Sequence, residues 1–226
     1  MTIERPKAVI WDMDGVIVDT SPYHEGAWRE TFSKRNVEFT SEDFSHTFGQ
    51  RNDSIITRIL GRTPSPEVID AIASEKEVRF RRKVRRHIRP LPGVMELLES
   101  LAAAGFRQAL ATSAPLQNVR LIIKGLDIEG YFGSVVTEKD VTEGKPSPQG
   151  FLLAARQLGV RPEGCIVIED ALAGVTAARQ AGMGCVAVTS THPRSCLGEA
   201  DIIVTSLEEV AVADLEALIA HLRSAG

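Results

Sequence analysis

Hydrophobic and polar positions alternate in two different rhythms along this chain. A four-residue apolar run, Ala8 to Trp11, is too short for a helix and suits a strand buried on both faces. Similar short runs return after Gly93: Arg107 to Ala111, Ser134 to Val136, Cys165 to Ile168, Cys185 to Val188 and Ile202 to Val204. Helix-period segments separate them at 93–104, 116–125, 149–159, Ala171 to Ala181 and, at the end, Leu215 to Leu222. Residues 22–88 carry no strand pattern. There Glu25 to Lys34, Glu42 to Phe48, Ser54 to Leu60 and Glu67 to Val84 each show one charged and one apolar helical face. Pro90-Leu91-Pro92-Gly93 closes that region. The pattern predicts an α/β core of parallel strands from 1–20 and 90–226, interrupted by a helical domain over 21–89.

Composition narrows the class. Of 226 residues, 43% are hydrophobic and 25% charged, with 26 basic and 30 acidic side chains and a net charge of −4. That balance argues against nucleic acid or a membrane as partner. No apolar run reaches the length of a membrane helix, and residues 1–10 lack an export signal, so a cytoplasmic location is expected. Cys165, Cys185 and Cys196 have no metal-binding spacing, and the first two read as small buried hydrophobes. The run Arg79 to Arg89 is dense in base and reads first as a solvated helix face.

The candidate chemistry lies where strands stop. Asp12 and Asp14 follow the first strand, with Gly15 behind them. Ligands of open parallel sheets sit at the carboxyl ends of strands, and two acids held there invite a cation or a proton. Asp-Gly is also a common turn dipeptide. Thr112 and Ser113 end the second strand ahead of a helix start at Pro115, an arrangement that suits a phosphate or a plain helix cap. Lys145 precedes Pro146 in a loop, and Glu169-Asp170 ends a later strand. His24 and Arg51, in the helical region, read alone as surface residues.

Taken in order, Asp12-x-Asp14-Gly15-Val16, Thr112, Lys145-Pro146-x-Pro148 and Glu169-Asp170-x-x-x-Gly174 resemble the four motifs of the haloacid dehalogenase (HAD) superfamily. Tyr23-His24 with Trp28, Gly49 with Arg51, Tyr131-Phe132 and Gln180-Ala181-Gly182-Met183 place the resemblance in its β-phosphoglucomutase-like group with a helical cap. It implies a Rossmann-like parallel sheet (HAD fold) with an inserted α-helical cap domain. It implies Asp12 as nucleophile toward phosphorus, and Asp14 as acid and base with a pKa held up by burial. Thr112, the Ser113 amide and Lys145 would hold the phosphoryl oxygens. Mg²⁺ would lie between Asp12, the main-chain carbonyl of Asp14 and Asp170, with Glu169 in support. His24 and Arg51 would serve substrate binding, and Lys76 matches a lysine of that cap.

The implied activity is hydrolysis of small phosphorylated metabolites such as sugar phosphates. A phosphohexomutase is the alternative, and a non-catalytic phosphate-binding module is the alternative of another class. The segment Ala114-Pro115-Leu116-Gln117-Asn118 departs from the Ser-Lys-Asn of mutases, which favours the phosphatase. Dehalogenation would need neither Asp14 nor the Glu169-Asp170 pair.

Overall fold

The computed structural model describes residues 5–225. Residues 1–4, part of the stretch read for an export signal and of the first core segment, lie outside the described residues. The strands β1 (Ala8–Trp11), β2 (Arg107–Ala111), β3 (Ser134–Val136), β4 (Cys165–Glu169), β5 (Gly184–Val188) and β6 (Ile202–Val204) form one sheet in the order β3-β2-β1-β4-β5-β6. Every pairing is parallel. The order reverses at β1, so the crevice of this doubly wound sheet opens at the carboxyl ends of β1 and its neighbours.

Both faces of the sheet are covered, which is why its strands are mostly apolar. Val9, Trp11, Leu110, Ile166 and Ile168 point into one hydrophobic layer. There they meet α5 (Val94–Ala103), α6 (Leu116–Leu126) and α9 (Val212–Ala225). Ala8, Ile10, Ala109, Ala111 and Val167 point the other way, against α7 (Gln149–Leu158) and α8 (Leu172–Gln180). Alternate residues of one strand thus serve opposite layers. Cys165 and Cys185 lie in the second layer as expected, and burial pushes the Cys165 thiol up to about 12.

The helical region consists of α1 (Ser21–Ser33), α2 (Ser41–Thr47), α3 (Asn52–Leu60) and α4 (Pro66–Val84). It has its own apolar cluster, in which Trp28 stacks on Phe32 at 5.2 Å and Phe32 on Phe39 at 5.5 Å. Ala27, Phe80 and Val84 instead join the main layer, which ties α1 and α4 to the core. α1 starts earlier than the sequence pattern suggests, because Pro22 is tolerated in a first helical turn. α9 is longer than the predicted 215–222. No helix among the described residues is long and apolar enough to cross a membrane.

Candidate active site

Strand register builds the acidic centre. Trp11 pairs with Ile168, and the Asp12 amide donates to the Ile168 carbonyl at 3.0 Å. Asp12 therefore stands beside Glu169 and Asp170, and ligand atoms of the three carboxylates lie within 4.8 Å of one another. Lys145, from the loop before α7, donates to Asp12 Oδ1 at 2.6 Å and Glu169 Oε1 at 2.5 Å. Glu169 Oε2 accepts the amides of Asp170 and Ala171 at 2.7 and 2.9 Å. The carboxylate reaches those partners because position 174 in α8 is glycine: a Cβ there would lie 1.7 Å from Glu169 Oε1. Gly15, at φ +84°, makes similar room for Asp170. Thr191 donates to Asp170 Oδ2, while Asp170 Oδ1 is buried without a hydrogen-bond partner among the described residues.

The electrostatics follow from that crowding. Burial raises the Asp12 carboxyl most; Lys145 opposes the rise, Glu169 and Asp14 add to it, and the result is about 7. Burial, with Glu169 and Asp12, pushes Asp170 well above the usual carboxylate range. Burial works against the charge of Lys145, but Asp12 and Glu169 outweigh it and raise its pKa, so it remains a cation. An orphaned, deeply buried carboxylate oxygen in an all-oxygen donor set fits a hard divalent cation such as Mg²⁺.

Asp14 is set apart from this cluster. Its Oδ1 accepts the Thr20 hydroxyl at 2.6 Å and faces His24 Nε2 at 3.3 Å. Lys76 Nζ lies 2.8 Å from His24 Nδ1, so Nδ1 accepts and the ring proton sits on Nε2, aimed at Asp14. Burial works against the Asp14 charge, but His24, Thr20 and Lys76 outweigh it and hold the carboxyl below its usual range. This corrects the expectation of a raised pKa. Asp14 is ionised because helices α1 and α4 bring it donors and a cation.

The sequence model of the haloacid dehalogenase-like hydrolases matches residues 6–182. The chain belongs to this family. A fructose-1-phosphate phosphatase of Escherichia coli is 33% identical over 82% of this chain and 97% of that protein. A β-phosphoglucomutase of Bacillus subtilis is also 33% identical, over 90% of this chain and 91% of that one. The crystal structure of a β-phosphoglucomutase from Clostridium difficile superposes with a TM-score of 0.88 at 27% identity, covering 97% and 99% of the two chains.

In this HAD-like hydrolase, a chamber lies between the sheet's rim and the helices. Asp12, Asp14, Thr112 and Ser113 form its floor, and His24, Trp28, Phe48, Asn52, Ile55 and Lys76 its walls and roof. The Thr112 Oγ1 accepts the Ala114 amide at 3.1 Å, which leaves its hydroxyl proton free to donate. Arg51 does not line this chamber. Its guanidinium donates to the carbonyls of Glu138 at 2.7 Å and Val141 at 2.9 Å and pairs with Asp53 at 3.0 Å. It straps α3 to the loop that carries Lys145. His192 makes a second strap, with Nε2 3.1 Å from the Ser45 carbonyl and Nδ1 3.2 Å from the Asp170 carbonyl.

Sequence reasoning missed Glu77 and Asn118. Glu77 accepts from Lys76 at 2.6 Å, Asn52 at 3.0 Å and Asn118 of α6 at 2.5 Å, and so ties the roof to the sheet side. No local pattern announces it. Thr191, beyond the end of β5, could have been found as a hydroxyl at the sheet's rim.

Proposed function

We propose that the chain hydrolyses monophosphate esters of small polyhydroxylated metabolites through an aspartyl-phosphate on Asp12, with 21–89 acting as a cap over a core of 1–20 and 90–226. The observation that carries this reading is the Lys145 ammonium fixed between Asp12 and Glu169, beside the unpartnered oxygen of Asp170. A dianionic phosphate meets a carboxylate nucleophile here with the mutual repulsion offset by a buried cation.

Asp12 forms a bond to phosphorus while the ester oxygen leaves, and Asp14 delivers a proton to that oxygen. The approaching dianion raises the Asp14 pKa, which favours its protonation for this step. Asp14, ionised again, takes a proton from water. The water oxygen attacks phosphorus and the bond to Asp12 breaks, releasing phosphate. The Thr112 hydroxyl and the Ser113 amide orient the phosphoryl oxygens, and the roof excludes bulk water. Asp12, Asp170 and the Asp14 carbonyl would hold Mg²⁺, with Glu169 in support, and the ion would stabilise charge on the transferring group.

The likeness to two β-phosphoglucomutases favours a second reading, transfer to another sugar hydroxyl. A mutase must grip a second, distal phosphate. Arg51, the cap arginine suited to that task, is engaged with two carbonyls and Asp53, and Lys76 is already paired with Glu77. Hydrolysis is therefore preferred. The deciding assay follows free phosphate and glucose 6-phosphate together from β-glucose 1-phosphate with Mg²⁺ and a trace of the 1,6-bisphosphate, alongside fructose 1-phosphate and hexitol phosphates. Phosphate release supports the phosphatase, and glucose 6-phosphate without phosphate supports the mutase. Mg²⁺-dependent binding of a phosphate mimic with no turnover of any ester would leave a binding module.

A further inference from the structure

The basic run that the catalytic reading leaves unused lines an open groove. Its walls come from two parts of the fold: Arg81, Arg82, Arg85, Arg86 and His87 from the end of α4 and the turn after it, and Arg120 from α6. Among the described residues no acidic side chain lines it, and none is shared with the catalytic chamber. Arg82 and Lys83 share one carboxylate, Glu30, and Arg81 donates to the neutral amide of Asn118. Among the described residues, Arg81, Arg85, Arg86 and Arg120 have no carboxylate within ion-pair distance.

Helix polarity explains part of this. Arg81, Arg82 and Lys83 occupy the last turn of α4, where cations offset the exposed carbonyls. The same field reaches Arg85, the C-cap of the helix, and Arg86 follows it. Helix polarity does not explain Arg120, which sits in the first half of α6, away from that helix's C-terminal carbonyls. Gathering these charges on one concave face of a chain with net charge −4 costs mutual repulsion. Arginine, with its planar fork of donors, suits phosphate oxygens taken two at a time. We propose that the groove between α4 and α6 is a binding site for a chain of linked phosphates, free oligophosphate or the triphosphate of a nucleotide. The exposed His87 ring, stacked on Tyr23 at 5.3 Å, offers a face for a base in the second case.

The test is titration calorimetry on the whole chain at about 0.15 M salt. Divalent metal is left out, so that the acidic catalytic cluster repels phosphate. Tripolyphosphate, ATP and a short single-stranded oligonucleotide are compared. One site is expected for tripolyphosphate, weakened roughly tenfold or more by Arg86→Gln with Arg120→Gln. Circular dichroism and the melting temperature establish that this double variant is folded, and Arg85→Gln with Arg86→Gln gives an independent pair. ATP binding more tightly than tripolyphosphate supports a nucleotide occupant, and equal or weaker binding supports free oligophosphate. No binding at millimolar tripolyphosphate overturns the proposal, as does equal binding by the variants. An oligonucleotide preferred over both linked phosphates overturns it too.

Discussion

Glu77 is the residue at which the structure makes its most quantitative claim. It is 4% exposed and Lys76 beside it 2%, and the pair shares its surroundings with the side-chain amides of Asn52 and Asn118. Burial alone would raise the Glu77 carboxyl, yet Lys76, His24 and the bonds from Lys76 and Asn118 bring it from 4.5 to about 2. That lowering corresponds to about 3 kcal/mol of stability at neutral pH. Breaking a buried pair by removing one partner costs about 3–5 kcal/mol, which agrees. Glu77→Ala is therefore expected to lose about 3 kcal/mol at pH 7. The assay is urea unfolding followed by tryptophan fluorescence, for which Trp28 is well placed, its ring 5.0 Å from Lys76 Nζ. Replacing both partners, Lys76→Met with Glu77→Leu, should recover much of the loss, because neither charge is then stranded. The sign of the pH dependence is set by the lowered pKa. The contribution is complete above 4.5 and fades as pH falls from 4.5 towards 2. The gap between native protein and Glu77→Gln should narrow across that window. A loss below about 1 kcal/mol at pH 7, or a gap that does not change between pH 7 and pH 3, would refute the account of a buried ion pair tying roof to sheet.

Three further outcomes are expected. Asp12→Asn should lower turnover by about four orders of magnitude or more while leaving the melting temperature intact, and full activity in a purified sample would remove Asp12 as nucleophile. Mg²⁺ at about 100 times its dissociation constant should stabilise the native chain by about 2.7 kcal/mol and do so far less for Asp170→Asn; equal shifts in the two proteins would place the metal elsewhere. Gly174→Ala should displace Glu169, loosen Lys145 and lower kcat at least about tenfold, since the added methyl carbon would otherwise lie 1.7 Å from Glu169 Oε1. An unchanged kcat and melting temperature would show that α8 need not approach so closely.

The sheet was legible because its strands are buried on both faces and so read as short apolar runs, each stopping where it reaches the rim. Asp12, Thr112 and Glu169-Asp170 were legible for the same reason, their positions being set by where a strand ends. Asp14 lies only two residues from Asp12, but its environment was misread. Local reasoning saw a second acid crowded against the first, whereas its charge is governed by Thr20, His24 and Lys76. Lys76 reaches it from a helix 62 positions along the chain, through one hydrogen bond to an imidazole. Arg51 was read as a hand for a distal phosphate, and it is held here by Asp53 and by two main-chain carbonyls, which no side-chain pattern encodes. The illegible part is thus the part that exists only once the helices dock on the sheet. The choice between water and a sugar hydroxyl as acceptor lies in the same contacts. On the proposed reading both acceptors would use Asp12, Asp14 and Lys145 alike, and a mutase would in addition need a free cation in the roof. A change that releases Arg51 from its carbonyls and from Asp53 should therefore move this chain towards transfer without touching any residue at the strand ends.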